Sequence, residues 1–273
     1  MPFVTLEDVN IYYEIHGPET AQPLLLLEGW GYDSWMWFRQ LPEFSKTYKC
    51  IVVDNRGVGK SSKPDYPYEM SMFAKDAIGI LDHLNIQKSH ILGISMGGFI
   101  AQEIALSFPN KVKSLIIASS SFGGPNSIVA SKDTLTKMLT VPSETITAEE
   151  AYNIRMSVVA SQEWIKANKK LLDQIVVWRE QNPQPNNARL NQAHASTIFN
   201  VEQKISSITA PTLIIHGDSD LVVPTKNAEL LHEKITNSQL VLLKGGQHWS
   251  FIQFYKQFNK IVLHFLDKNS SKS

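Results

Sequence analysis

The sequence predicts an α/β fold: a mostly parallel sheet flanked by helices, with a helical segment inserted into it. Three observations predict it. Pro23–Leu27 is continuously apolar, as a strand buried on both faces should be, and the largely apolar runs Tyr48–Asp54, His90–Ile94, Val112–Ala118 and Pro211–Ile215 read as further buried strands. Segments with helical apolar spacing separate the first of these runs, the alternation that lays helices over both faces of a sheet. The alternation stops between about residues 123 and 204, where helical patterns follow one another without a strand, and it resumes at Pro211. The expected organisation is a core of residues 1–122 and 205–273, interrupted by a helical insertion of residues 123–204.

Each element has its own signal. Phe3–Glu7 and Asn10–His16 alternate apolar and polar residues, which predicts an antiparallel pair at the start. A helix is expected over Ser34–Phe44. Ser71 is placed to cap another that runs to Leu84 and turns Phe73, Ala77, Ile80, Leu81 and Leu84 inward. Within the insertion the helical segments are Ser131–Leu139, Ala148–Val159, Gln162–Glu180 and Asn187–Phe199, separated by Pro142, Pro183 and Pro185. After the insertion a helix over Thr225–Ile235, a strand over Gln239–Leu243 and a helix over Phe251–Leu266 complete the pattern. The polar tail Asp267–Ser273 is expected to fray.

Composition narrows the function. Of 273 residues, 26 are basic and 26 acidic, the net charge is zero, and 43% are hydrophobic. Such a balance gives no footprint for nucleic acid or an anionic membrane. Cys50, the single cysteine, lies in an apolar run and reads as a core residue, and with no internal disulfide the chain suits a reducing compartment. The first residues lack a basic region and a long apolar stretch, so no signal peptide is expected. No run approaches the ~18 to 20 apolar residues that span a bilayer. The expectation is a soluble, cytoplasmic protein.

The chemistry centres on Gly93-Ile94-Ser95-Met96-Gly97, between a buried strand and a helix. It matches G-x-S-x-G, the nucleophile elbow. Small residues must flank a nucleophile on so tight a turn, and the following helix points its positive end at the serine. The Met96 N–H is therefore a candidate oxyanion donor. A serine needs a base, and the base needs an orienting acid. Seven of the eight histidines lie in or beside strand or helix patterns, where a surface or satisfied core role is the default. His248 instead follows the last strand on a glycine-bearing loop, at the same sheet edge as Ser95. The loop after Pro211–Ile215 offers two acids, Asp218 and Asp220, of which Asp220 sits later in the turn. The Asp54–Ser61 loop is glycine-rich but lacks phosphate-loop spacing and reads as a structural turn. No histidine cluster has metal-ligand spacing, so neither metal nor organic cofactor is expected.

Together Glu28–Gly31, Asp54–Ser61, Gly93–Gly97, His216–Asp220 with Pro224, and Gly246–His248 make the chain resemble α/β-hydrolase-fold serine hydrolases of the esterase and 3-oxoadipate enol-lactonase type. The resemblance implies that Asp220 is the acid and Asp218 a turn former. It implies that the Trp30 N–H is the second oxyanion donor and that the insertion is a lid over the site. It implies hydrolysis of a small to medium ester or lactone, with carbon–carbon hydrolysis or a slow-turnover ligand receptor as alternatives. Arg189 and Trp249 faintly resemble the carbon–carbon group, whose asparagine beside the nucleophile is here Ile94. Many relatives begin the oxyanion turn with His-Gly where this chain has Glu28-Gly29. Because a carboxylate opposes an oxyanion, Glu28 is expected to turn away or pair. Trp30, Trp35, Trp37 and Trp249 are expected to be partly core, with Trp30 and Trp249 at the pocket. Met138, Leu139, Ile154, Val158, Trp164, Ile175, Trp178 and Phe199 offer an apolar lid with few clustered basic residues. That pattern favours uncharged substrates.

Overall fold

The computed structural model of the chain describes residues 2–270. Eight strands, β1 (Phe3–Leu6), β2 (Val9–His16), β3 (Pro23–Leu27), β4 (Lys49–Val53), β5 (Ser89–Ile94), β6 (Val112–Ala118), β7 (Thr212–Gly217) and β8 (Ser238–Leu243), form one sheet. Their order is β1-β2-β4-β3-β5-β6-β7-β8. β1 and β2 are antiparallel and β2 meets β4 antiparallel, while β3 to β8 run parallel. The helices are α1 (Leu41–Phe44), α2 (Met70–His83), α3 (Met96–Ser107), α4 (Lys132–Leu139), α5 (Ala148–Val159), α6 (Gln162–Ala167), α7 (Lys169–Gln181), α8 (Asn186–Ile198), α9 (Lys226–Lys234), α10 (Ser250–Gln253) and α11 (Tyr255–Ser270).

The apolar runs are explained by two cores, one on each face of the sheet. Alternate side chains point to opposite faces of a strand. Leu25 and Leu27 of β3 therefore pack with Phe73 and Ala77 of α2 and Ile100 and Ile104 of α3. Leu24 and Leu26 pack with Phe258, Val262 and Phe265 of α11. Cys50 lies wholly inside the second core, and burial pushes its thiol up to about 12. The strand order reverses direction between β3 and β5, which are neighbours. Open parallel sheets bind ligands outside the carboxyl ends of their strands at such a switch point.

Several boundaries differ from the sequence reading. Ser34–Phe44 is a 3-10 helix, Ser34–Arg39, followed by the short α1. Pro42 has no N–H to donate to the Phe38 carbonyl, so one continuous α-helix cannot form. Glu69, not Ser71, precedes α2, and the Ser71 hydroxyl reaches back to Glu69. Gln162–Glu180 divides into α6 and α7 at Asn168, whose side-chain amide donates to the Trp164 carbonyl. The final helix also divides, at Phe254. Its second part runs to Ser270 instead of fraying after Leu266. Asp267 accepts from the Tyr48 hydroxyl, and the Ser270 carbonyl accepts from Gln22 and Lys113. Residues 271–273 of the predicted tail lie outside the described residues. The insertion has no strand among its described residues beyond an isolated bridge between Gly123 and Asn200 at its neck.

The elbow requires glycine for close approach. A Cβ on Gly93 would overlap the Gly97 carbonyl, and one on Gly97 would overlap the Leu27 carbonyl of β3. Backbone atoms cannot yield as a side-chain tip can. Gly93→Ala is expected to destabilise the protein by at least ~1–3 kcal/mol, read as a lower denaturation midpoint. An unchanged midpoint would contradict this packing.

Candidate active site

Three loops at the carboxyl edge of the sheet bring the sequence-predicted residues together. Ser95, between β5 and α3, has φ 55° and ψ −117°, a conformation that non-glycine residues seldom adopt. Its N–H donates to Ala118 of β6, and its carbonyl accepts from the Ser120 hydroxyl. These bonds hold the turn while its side chain stays partly exposed. The loop after β8 carries His248, and the loop after β7 carries Asp220, both buried. His248 Nε2 lies 3.1 Å from Ser95 Oγ, and His248 Nδ1 lies 2.8 Å from Asp220 Oδ2. With the proton on Nδ1 donated to Asp220, Nε2 is free to accept from the serine.

Asp220 is strongly held. Its Oδ1 accepts the N–H groups of Val222 and Val223 at 2.8 and 2.9 Å. Burial would raise its carboxyl, but the charge and hydrogen bonds of His248 and His216 outweigh burial and hold it well below the usual carboxylate range. His216 was passed over in the sequence, being one more histidine at a strand end. In the fold it is fully buried, with Nε2 2.8 Å from the Val223 carbonyl and 3.3 Å from Asp220 Oδ2. Its place in the turn with both candidate acids was the available signal. Asp218 is exposed and accepts from the Gly245 N–H at 2.7 Å and from Ser219, so it ties the β7 and β8 loops together.

The turn after β3 lies against the serine. A Cβ on Gly29 would sit 3.4 Å from Ser95 Cβ. Next to it, the Trp30 indole N–H donates to the Arg189 carbonyl at 2.9 Å, and the Gly31 N–H donates to the fully buried Gln192 of α8. Met96 is the first residue of α3, and the first N–H groups of a helix have no intrahelical acceptor. The Asp54 loop is the expected turn network: its carboxylate accepts from the Ser34 and Lys60 N–H groups, and Arg56 forks onto buried Asp76.

Glu28 does not take the partner that was one of the two outcomes expected for it. It is fully buried, yet neither carboxyl oxygen has a hydrogen-bond partner among the described residues. Burial, then the carboxylates of Asp33 and Asp54, raise it well above the usual range. The same forces, burial and then Asp54, push Asp33 up to about 7. Both effects favour the neutral acid of Glu28, the form that does not oppose a neighbouring oxyanion.

A cavity of about 370 Å³ opens at Ser95 and His248, walled by Trp30, Phe99 and Trp249 from the sheet side and Met138 and Leu139 from the insertion. Trp37 is wholly core. Val158, Ile175 and Phe199, expected to offer an apolar pocket wall from the lid, are instead buried within the two cores. The expectation of few clustered basic residues also fails: Arg155, Arg179 and Arg189, on three separate helices, line one adjoining cavity. Among the described residues no three His, Cys, Asp or Glu side chains are grouped to hold a metal, and no helix is long and apolar enough to cross a membrane.

An eight-stranded, mostly parallel sheet with a serine on a strained strand-to-helix turn, facing histidine and aspartate on later loops, defines the α/β-hydrolase class. A family model described as alpha/beta hydrolase fold matches residues 22–255, and the chain belongs to that family. It is 31% identical over 263 residues to a putative carbamate hydrolase RutD of Pseudomonas savastanoi pv. phaseolicola, covering 94% of this chain and 99% of that one. It is 26% identical over 261 residues to 3-oxoadipate enol-lactonase 2 of Acinetobacter baylyi, covering 95% and 94%. The crystal structure of the enol-lactonase from Burkholderia xenovorans LB400 superposes with a TM-score of 0.86 at 21% identity, over 97% of this chain and all of that one.

The raised Glu28 acid carries a stability signature. On unfolding above its usual value, about 4.3, Glu28 releases a proton that the folded chain retains. The contribution of Glu28 to wild-type stability therefore falls as pH rises from there through the raised folded value. Glu28→Gln has no such proton. The melting temperature of the variant minus that of wild type is expected to increase by a few degrees between pH 5 and pH 8. A difference that stays constant or decreases would mean Glu28 is ionised in the fold.

Proposed function

We propose that the chain is a serine hydrolase of small to medium carboxylic esters or lactones. The observation that carries this reading is the hydrogen-bonded chain Ser95–His248–Asp220 at the wall of the main cavity. Ser95 Oγ attacks the carbonyl as His248 Nε2 takes its proton, and Asp220 fixes the tautomer and stabilises the imidazolium. The Trp30 and Met96 N–H groups receive the oxyanion. The serine ester forms as the alcohol leaves with the proton from His248, and water activated by the same nitrogen then releases the acid. Residues 123–204 serve as the cap over this reaction.

The enzyme needs neither metal nor cofactor in this reading, and its partner is a small-molecule ester or lactone. The family and the names of the relatives support hydrolysis without choosing among carbamate, lactone, ester and carbon–carbon bond. The cavity favours ester or lactone over carbon–carbon cleavage, because buried Ile94 beside the serine offers no polar group to a dienolate. The strongly held Asp220 argues against a vestigial site in a receptor.

Ser95→Ala is expected to fold and to lose ester hydrolysis by at least ~10³-fold. Asp220→Asn is expected to lower kcat by up to ~10⁴, the loss seen for the comparable change in a serine protease. Asp218→Asn, which affects only the loop tie, is expected to lose less than a tenth as much. Steady-state kinetics on a short-chain activated ester check all three. Hydrolysis surviving in Ser95→Ala, or equal losses for the two aspartates, would overturn the assignment.

A further inference from the structure

Beside the main cavity lies a smaller one of about 30 Å³, between the Trp30–Tyr32 turn and the insertion. The two share Trp30, Tyr32, Met138 and Val159 as walls. Three helices each send one arginine to the smaller cavity: Arg155 from α5, Arg179 from α7 and Arg189 from α8. All three are half-buried, and among the described residues none is in a salt bridge. Arg155 donates to the Thr140 carbonyl and Arg189 to the Met138 carbonyl. The Arg189 guanidinium lies 4.5 Å over the Trp30 ring, and that of Arg179 lies 5.1 Å over Tyr32.

Three guanidiniums around one cavity repel one another. Burial, then the neighbouring arginines, lower both Arg155 and Arg189, the latter to about 10. The carboxylate nearest to compensating is Asp33. It shares a separate cleft with Arg179, forms no salt bridge with it, and is itself pushed up to about 7. A second observation is independent of the charges. Tyr152 also lines the smaller cavity, is 4% exposed, and its hydroxyl has no hydrogen-bond partner among the described residues. A buried donor left unpaired costs on the order of 1–3 kcal/mol. One acceptor with negative charge would satisfy the hydroxyl and the guanidiniums together.

We propose that Tyr152, Arg155, Arg179 and Arg189 form an anion subsite that takes a carboxylate or other compact oxyanion borne by the substrate, away from its scissile carbonyl. The inference rests on the hydrolase reading and adds the charge of the substrate to it. Trp30 makes the anion part of the substrate and not a free ion, because it is common to both sites. Its turn lies against Ser95, while its ring lies under Arg189. A short chain crossing that wall reaches from one to the other. The small volume admits one such group and little else. The expected preference for uncharged esters is thereby reversed.

The test compares kcat/KM at constant ionic strength for two ester series, each with a methyl-capped neutral counterpart. One series carries a terminal carboxylate on the acyl side and the other on the alcohol side. In one of them the carboxylate is expected to raise kcat/KM about 10- to 100-fold. Arg155→Gln and Arg179→Gln are expected to reduce that ratio at least threefold, and Tyr152→Phe to lower it in the same direction. Wild type alone supplies a second readout. A carboxylate-bearing half-ester is expected to compete with a neutral ester, and inorganic phosphate to compete at least tenfold more weakly. Ratios of one or less in both series, or ratios unaffected by either arginine substitution, would overturn the subsite. Phosphate competing as well as the half-ester would show a free-anion site and overturn the substrate-borne assignment. Those failures leave Ser95-dependent hydrolysis standing, whereas hydrolysis persisting in Ser95→Ala removes the reading beneath it.

Discussion

A serine held at φ 55° between a buried strand and a helix is the constraint on which this structure depends. Such a conformation costs on the order of 1–3 kcal/mol and persists only where the surroundings over-determine it. Here β6 takes the Ser95 N–H, Ser120 takes its carbonyl, and the absence of side chains at Gly93 and Gly97 lets β5, α3 and β3 meet at backbone contact. The result fixes more than the serine. The same contacts bring the turn after β3 against Ser95, and they set the start of α3 at Met96. Strand order, helix position and the candidate oxyanion donors are therefore one packing problem.

The opposite side of the site is built from hydrogen bonds instead of backbone contact. Two N–H groups and two histidines converge on Asp220, so the carboxylate that orients His248 has almost no freedom of its own. The insertion is joined to the sheet by polar clamps of the same kind. Trp30 bonds the Arg189 carbonyl, Gly31 bonds Gln192, and the Trp249 N–H bonds the Val159 carbonyl at the end of α5. The cavity between them is lined by apolar side chains but bounded by fixed polar backbone.

Much of this was legible in the sequence because it depends on local pattern. A continuous apolar run located β3 to the residue, because a strand covered on both faces leaves no polar position, and β6 is placed as closely although Lys113 and Ser114 interrupt its run. The glycines of the elbow announced close approach before any coordinates did. What the sequence hid depends on which distant residues meet. Arg155, Arg179 and Arg189 are isolated basic residues on three helices until folding turns them to one cavity. Glu28 reads as a charge that must turn away or pair, but burial beside Asp33 and Asp54 disfavours the charge itself. His216 looked like any strand-end histidine until the turn brought Asp220 back beneath it. The break at Pro42 falls where periodicity continues but one backbone hydrogen bond cannot form, and the break at Asn168 falls where its side-chain amide also takes the Trp164 carbonyl.

If Ser95 is the nucleophile, its reaction forms a covalent intermediate. A fluorophosphonate transfers its phosphonyl group to an activated serine and releases fluoride, leaving a stable adduct. Intact mass and peptide mapping after such treatment are the most direct measurement. The account predicts one adduct per chain, on Ser95, formed in step with loss of ester hydrolysis and absent in Ser95→Ala. Hydrolysis that persists after full modification of Ser95, or an adduct that maps to another residue as activity is lost, would contradict it.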